Sequence, residues 1–234
     1  MTRLDDPALV AEEYSDETRL CRRASIYGGN DAKAVALREV SEAAPGTVLE
    51  VGCGPGDFAA LVAAETGATV VAVDISPRMV ELARNRGVDA RLGDVQELPF
   101  ADAQFDVAVA GWMLYHVPEL DRAIEELARV IRPGGRLVAM TNSVLHLIEL
   151  RELVGTGPAP LTFSRESGEE LLRERFPAVE RHDVDGTVEF ADRAAVEDYV
   201  RASIVMSPFV QELPPSIDVP FAARRATTVF VATK

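Results

Sequence analysis

The residues best suited to chemistry in this 234-residue chain are acids and glycines placed at the ends of short apolar runs. Thr47-Val48-Leu49-Glu50-Val51 runs into Gly52-Cys53-Gly54-Pro55-Gly56, Thr69 to Val73 ends on Asp74, and Ala90-Arg91-Leu92-Gly93 ends on Asp94. Glycines let a backbone turn sharply and approach a ligand with no Cβ in the way. The helix that follows such a loop offers free N–H groups to an anion. Asp74, about 20 residues beyond the loop, is spaced to accept both hydroxyls of a ribose. Asp94 is placed to accept from an adenine amino group while Val95 packs on the ring. The spacing also discriminates between cofactors. Asp57 stands where a G-x-G-x-x-G loop has its third glycine, which puts negative charge where a pyrophosphate would sit. That disfavours a nicotinamide-dependent oxidoreductase. A cationic sulfonium cofactor without phosphates tolerates Glu50 and Asp57.

A second group follows the fourth apolar run, in Gly111-Trp112-Met113-Leu114-Tyr115-His116-Val117. His116 is the candidate general base, since an imidazole titrates near neutral pH. Its competing reading is a histidine that bonds backbone and fixes the loop. Tyr115 reads as packing. His146, near Asn142, is placed to reach an acceptor from a cap, and His182 is expected to be exposed. Three scattered histidines make no metal site. Cys21 and Cys53 give no disulfide framework, so the cytoplasm is the expected compartment.

The elements that must hold these residues alternate. Strand-like runs at 47–51, 69–74, 90–94, 105–110 and 136–140 are separated by helical segments at 58–65, 77–85 and from Leu120 to Ile131. Strands alternating with helices predict right-handed βαβ units, hence an α/β, doubly wound parallel sheet. Helices are expected at 8–14, 32–44, 142–154, 165–176 and 192–204, and a last strand at 227–233. The chain divides into an N-terminal helical lid (1–45), a cofactor-binding core (46–141), a cap or substrate region (142–222) and a final strand (223–234). No apolar run approaches the roughly 20 residues of a membrane helix. The formal charge of −14 disfavours nucleic acid, whose affinity comes largely from Lys and Arg, and favours a small neutral or cationic acceptor.

Taken in order, VLEVGCGPGDF, VVAVDIS, GDVQELPF, FDVAVAGWMLYHV and ARVIRPGGRLVAMT resemble class I S-adenosylmethionine-dependent methyltransferases, in the branch of ubiquinone/menaquinone-biosynthesis-type and small-molecule enzymes. The resemblance is strong over residues 46–141. It implies a Rossmann-like, mostly parallel seven-stranded sheet with an antiparallel last strand and helical lid segments. It also implies S-adenosylmethionine as cofactor and S-adenosylhomocysteine as product. By the same resemblance Glu50, Gly52 and Gly54 line the methionine moiety. Asp74 binds the ribose, Ile75 and Met79 flank the adenine, and Asp94 and Val95 hold it from the other side. Gly111 and Trp112 face the transfer zone, and Tyr14 and Arg23 close over the cofactor carboxylate. The expected reaction is methylation of an O or N atom of a small molecule by a monomer or homodimer. RNA or protein acceptors are the alternative.

Overall fold

The computed structural model describes residues 4–14, 17–24, 26–27 and 31–234. Seven strands form one sheet: β1 (Thr47–Val51), β2 (Thr69–Asp74), β3 (Asp89–Leu92), β4 (Phe105–Gly111), β5 (Ile131–Asn142), β6 (Ala178–Phe190) and β7 (Phe221–Thr233). Their spatial order is β3-β2-β1-β4-β5-β7-β6. The first five pair in parallel, and β7 lies antiparallel between β5 and β6. The chain therefore reverses direction across the sheet between β1 and β4, which opens a crevice at the carboxyl ends of these strands.

Period-2 alternation explains why the sheet is covered on both faces. Leu49, Val51, Ala108, Ala110, Leu137 and Phe230 point into one core, against α6 (Leu120–Val130) and α8 (Gly168–Arg173). Their neighbours Val48, Val107, Val109, Val138 and Val229 point into the other, against α3 (Asp31–Glu42) and α4 (Asp57–Thr66). In α6 the buried positions Ala123, Ile124, Leu127, Ala128 and Val130 follow helical spacing. Each fully buried Leu or Ile there contributes about 2 kcal/mol. Helix α5 (Pro77–Asn85) starts as its sequence signals: the Ser76 side chain caps the Met79 amide, with Pro77 in the first turn.

A third core lies beyond the sheet. β6 and β7 are each 13 residues long and overrun their neighbours. Their extension carries α7 (Ile148–Leu153), α9 (Arg193–Ala202) and the 3₁₀ turn Ser207–Glu212 around Val188, Phe190, Val196, Val200 and Met206. Two short helices, α1 (Pro7–Glu13) and α2 (Thr18–Ala24), precede the sheet.

Several boundaries differ from expectation. Residues 178–190, for which no strand is expected, form a long sheet strand, and the last strand begins at Phe221. β5 starts at Ile131, because Arg132 to Gly135 form a bulged entry to the strand instead of a break. Of the helix expected over 142–154 only α7 forms, and 165–176 shortens to α8. β3 stops at Leu92, two residues before Asp94.

Candidate functional site

The carboxyl ends of β1, β2 and β4 converge on one cavity of about 760 Å³. Every site residue expected from the sequence lines it except Met79, which is fully buried on α5 and has Arg78 as its neighbour on the wall. The spacing after Ser76 explains the difference: Met79 lies on the inward face of α5 with Val80 and Ala83.

The glycine loop is held open by a left-handed backbone conformation that side chains rarely adopt. Gly52, Gly54 and Gly56 all have positive φ. A Cβ on Gly52 would lie 2.7 Å from Met113, and one on Gly56 2.7 Å from Ala83. Asp74 fastens this loop to the next strand. Its Oδ2 accepts the Gly54 amide at 2.8 Å and its Oδ1 the Ser76 amide at 2.9 Å. Burial raises the Asp74 pKa, and these backbone donors counter the rise.

Glu50 sits at the head of the loop, 5% exposed, and its Oε2 has no hydrogen-bond partner among the described residues. Burial pushes its pKa up to about 8, against the pull of the Lys33 ammonium. An unpaired buried carboxylate oxygen is costly, and a cationic ligand is the simplest partner for it. The residues present therefore suit the amino-acid end of S-adenosylmethionine. On the far side, Ile75 is exposed to the cavity and Val95 buried along it. The Asp94 carboxylate accepts from the Gln96 amide and side chain.

At the end of β4, Trp112 has φ of +53°, a conformation that costs a bulky residue about 1–3 kcal/mol. It is held there by two bonds: its amide donates to the Met140 carbonyl, and its Nε1 donates to Asn142 Oδ1 at 3.2 Å. His116 follows in a 3₁₀ turn. Its Nδ1 donates to the Leu4 carbonyl at 2.8 Å, so its Nε2 is the acceptor for the Tyr14 hydroxyl at 2.9 Å. Burial lowers its pKa to about 4. With both nitrogens engaged, His116 takes a proton only through Tyr14. Ser76 Oγ in turn donates to the Tyr14 carbonyl, tying α1 to α5.

A second pair mirrors the first with the opposite tautomer. His146 Nδ1 accepts the Ala226 amide at 3.1 Å, which leaves Nε2–H to donate to the Tyr27 hydroxyl at 2.8 Å. Tyr27, Tyr115 and Tyr199 join this wall. Nothing in the local sequence marked Tyr199, because it occupies a buried position of an amphipathic helix. Arg23 donates to the Ala202 carbonyl and also faces the cavity. His182 lies elsewhere, half-buried on β6 with Nε2 3.6 Å from Glu39, and not exposed as expected. Among the described residues no cluster suits a metal ion, and no helix is long and apolar enough to cross a membrane.

Comparison with known proteins bears on this geometry. Residues 49–139 match the family model described as a methyltransferase domain. The methyltransferase GfsG of Streptomyces halstedii is 45% identical over 98 residues, 38% of this chain and 35% of that protein. The malonyl-[acyl-carrier protein] O-methyltransferase of Pseudescherichia vulneris is 30% identical over 171 residues, 72% of this chain and 64% of that one. The YcgJ protein of Bacillus subtilis shares the fold, with a TM-score of 0.64 over 87% of this chain and 98% of its own, at 16% identity. The chain spans between about a third and two thirds of the length of the first curated relatives it matches.

Proposed function

We propose that the chain, whose residues 49–139 match a methyltransferase domain, transfers a methyl group from S-adenosylmethionine to an O or N atom of a small-molecule acceptor. The observation that carries the cofactor side is Glu50 Oε2, buried without a partner among the described residues at the head of a positive-φ glycine loop. When bound, the cofactor supplies a methyl carbon activated by a sulfonium leaving group. The protein's task is alignment and exclusion of water.

In this reading Glu50 holds the cofactor's ammonium group while Gly52 and Gly54 admit the methionine chain. Asp74 uses its remaining lone pairs for the ribose hydroxyls, and Ile75, Asp94 and Val95 surround the adenine. Tyr14 and Arg23 close over the carboxylate. Gly111 and Trp112 shape the transfer zone. For a hydroxyl acceptor, the Tyr14 oxygen receives the departing proton as Tyr14 passes its own to His116 Nε2. An amine acceptor attacks without a base. A formal charge of −14 favours a small acceptor over RNA, and we place the chain in the cytoplasm as a monomer or homodimer.

Calorimetric titration with S-adenosylmethionine, S-adenosylhomocysteine and the nicotinamide dinucleotides tests the reading. Micromolar binding of the first two alone supports it. Dinucleotide binding, or none at all, refutes it.

A further inference from the structure

Past His116 the main cavity opens into a smaller chamber of about 140 Å³, with Arg23, Tyr115 and Tyr199 shared between the two. The charge changes across that boundary. Glu50, Asp57, Asp74 and Asp94 line the main cavity, whereas among the described residues no Asp or Glu lines the chamber. Asp5 acts electrostatically on His116 from outside the chamber wall.

Arg151 lines the chamber and not the main cavity. It is 7% exposed, sits on α7, and donates from Nε to the Gly157 carbonyl at 2.6 Å. Its terminal nitrogens donate to nothing among the described residues, and no carboxylate pairs with it. A largely buried guanidinium whose terminal nitrogens stay accessible and unpartnered among the described residues is suited to complete its bonds with an anion. Among the described residues, every other titratable group facing the chamber is a cation, a phenol or a neutral imidazole: Arg23, Tyr14, Tyr115, Tyr199, His116 and His146. A planar guanidinium fork matches a carboxylate bidentately.

We propose that this chamber is a carboxylate-binding subsite built on Arg151, and that the acceptor is a small organic acid whose nucleophilic atom lies toward Trp112 and Tyr14. The subsite deepens the methyltransferase reading and rests on it. It also reverses the neutral or cationic acceptor suggested by the net charge, because the local lining and not the total decides what a cavity admits. The carboxylate serves as the handle and not as the methylated atom, since Arg151 lies beyond the chamber mouth while Trp112 lines only the main cavity.

The test uses benzoate, benzamide and phenyl phosphate as probes, titrated calorimetrically into the whole protein with and without saturating S-adenosylhomocysteine. Benzoate is expected to bind at least about tenfold tighter than benzamide and tighter than phenyl phosphate, a preference lost in Arg151→Gln and partly kept in Arg151→Lys. S-adenosylhomocysteine affinity should be the same in all three proteins, which separates the subsite from the cofactor cleft. Benzamide binding as well as benzoate, benzoate failing to bind, or Arg151→Gln binding benzoate normally would each overturn the subsite. Tighter binding of phenyl phosphate would overturn the carboxylate assignment. If Arg151→Gln fails to fold, the benzoate-to-benzamide ratio of the unsubstituted protein decides. Loss of S-adenosylhomocysteine binding in the unsubstituted protein would instead refute the proposed function, and the arm without it still reads the anion preference.

Discussion

The Asp74 carboxylate accepts the Gly54 amide at 2.8 Å, so one side chain at the end of β2 fixes the conformation of the loop that leaves β1. Its other oxygen caps the Ser76 amide. Losing both charge-assisted bonds in Asp74→Ala should cost about 3 kcal/mol and lower Tm by roughly 6–12 °C. S-adenosylmethionine affinity should fall by about a hundredfold or more, since loop and ribose contacts go together. Calorimetry that found normal cofactor binding in Asp74→Ala would sink the cofactor assignment.

Gly52 and Gly67 separate two costs. Both have positive φ, but a Cβ on Gly52 strikes Met113 at 2.7 Å while one on Gly67 meets nothing within 4 Å. Gly67→Ala should cost about 1 kcal/mol and leave cofactor affinity intact. Gly52→Ala should cost about 2–3 kcal/mol and weaken cofactor binding, because Met113 must move. Gly54→Val should abolish binding. Denaturant midpoints and cofactor titrations of the three variants check this ordering.

Glu50 makes cofactor binding a proton-releasing event. With its pKa raised to about 8, the group is largely protonated in the empty protein at neutral pH. A raised acid contributes stability present below its unfolded value near 4.3, and that stability is lost as pH rises through about 8. A ligand ammonium favours the ionised form, so binding between those limits should release close to one proton. Calorimetry at pH 7 in buffers of different ionisation enthalpy measures it. Glu50→Gln should stabilise the empty protein at pH 8, weaken S-adenosylmethionine binding and abolish the release.

His116 and His146 act in the opposite sense. Burial lowers both to about 4, so each contributes stability present above the unfolded value near 6.5 that is lost as pH falls toward 4. His116→Gln should remove close to one proton from the pH dependence of unfolding across that window. His116→Ala and Tyr14→Phe should both lower kcat on a hydroxyl acceptor, and His116→Ala should leave cofactor affinity within about twofold. Equal kcat in Tyr14→Phe and the unsubstituted protein on a hydroxyl acceptor would eliminate the relay.

Much of the cleft was legible because its signals are local. Ser76-Pro77 announces α5, and a β-branched run ending on an acid announces β2 and Asp74. β6 escaped notice because Glu180, Arg181, Asp183 and Asp185 crowd a strand whose partner lies some 45 residues onward, as in the pair Asp183 and Thr228. The Tyr14–His116 contact spans a separation of 102 residues and Tyr27–His146 one of 119, beyond any local pattern. Arg151 sits in Ile148-Glu149-Leu150-Arg151, where a charge reads as solvent-facing. Only the packing of α7 against the extended β7 turns it inward.

The two outer strands of the sheet differ in length but share a defence. β3 has four residues and carries the exposed pair Asp89 and Arg91. β6 has 13 and alternates Glu180, Arg181, Asp183 and Asp185 along a line of otherwise unpaired backbone. An unguarded edge recruits another chain's strand. Here any second copy arriving edge-on must desolvate a row of fixed charges, so the sheet ends where it does, and self-association is turned away from the route that leads to fibrils.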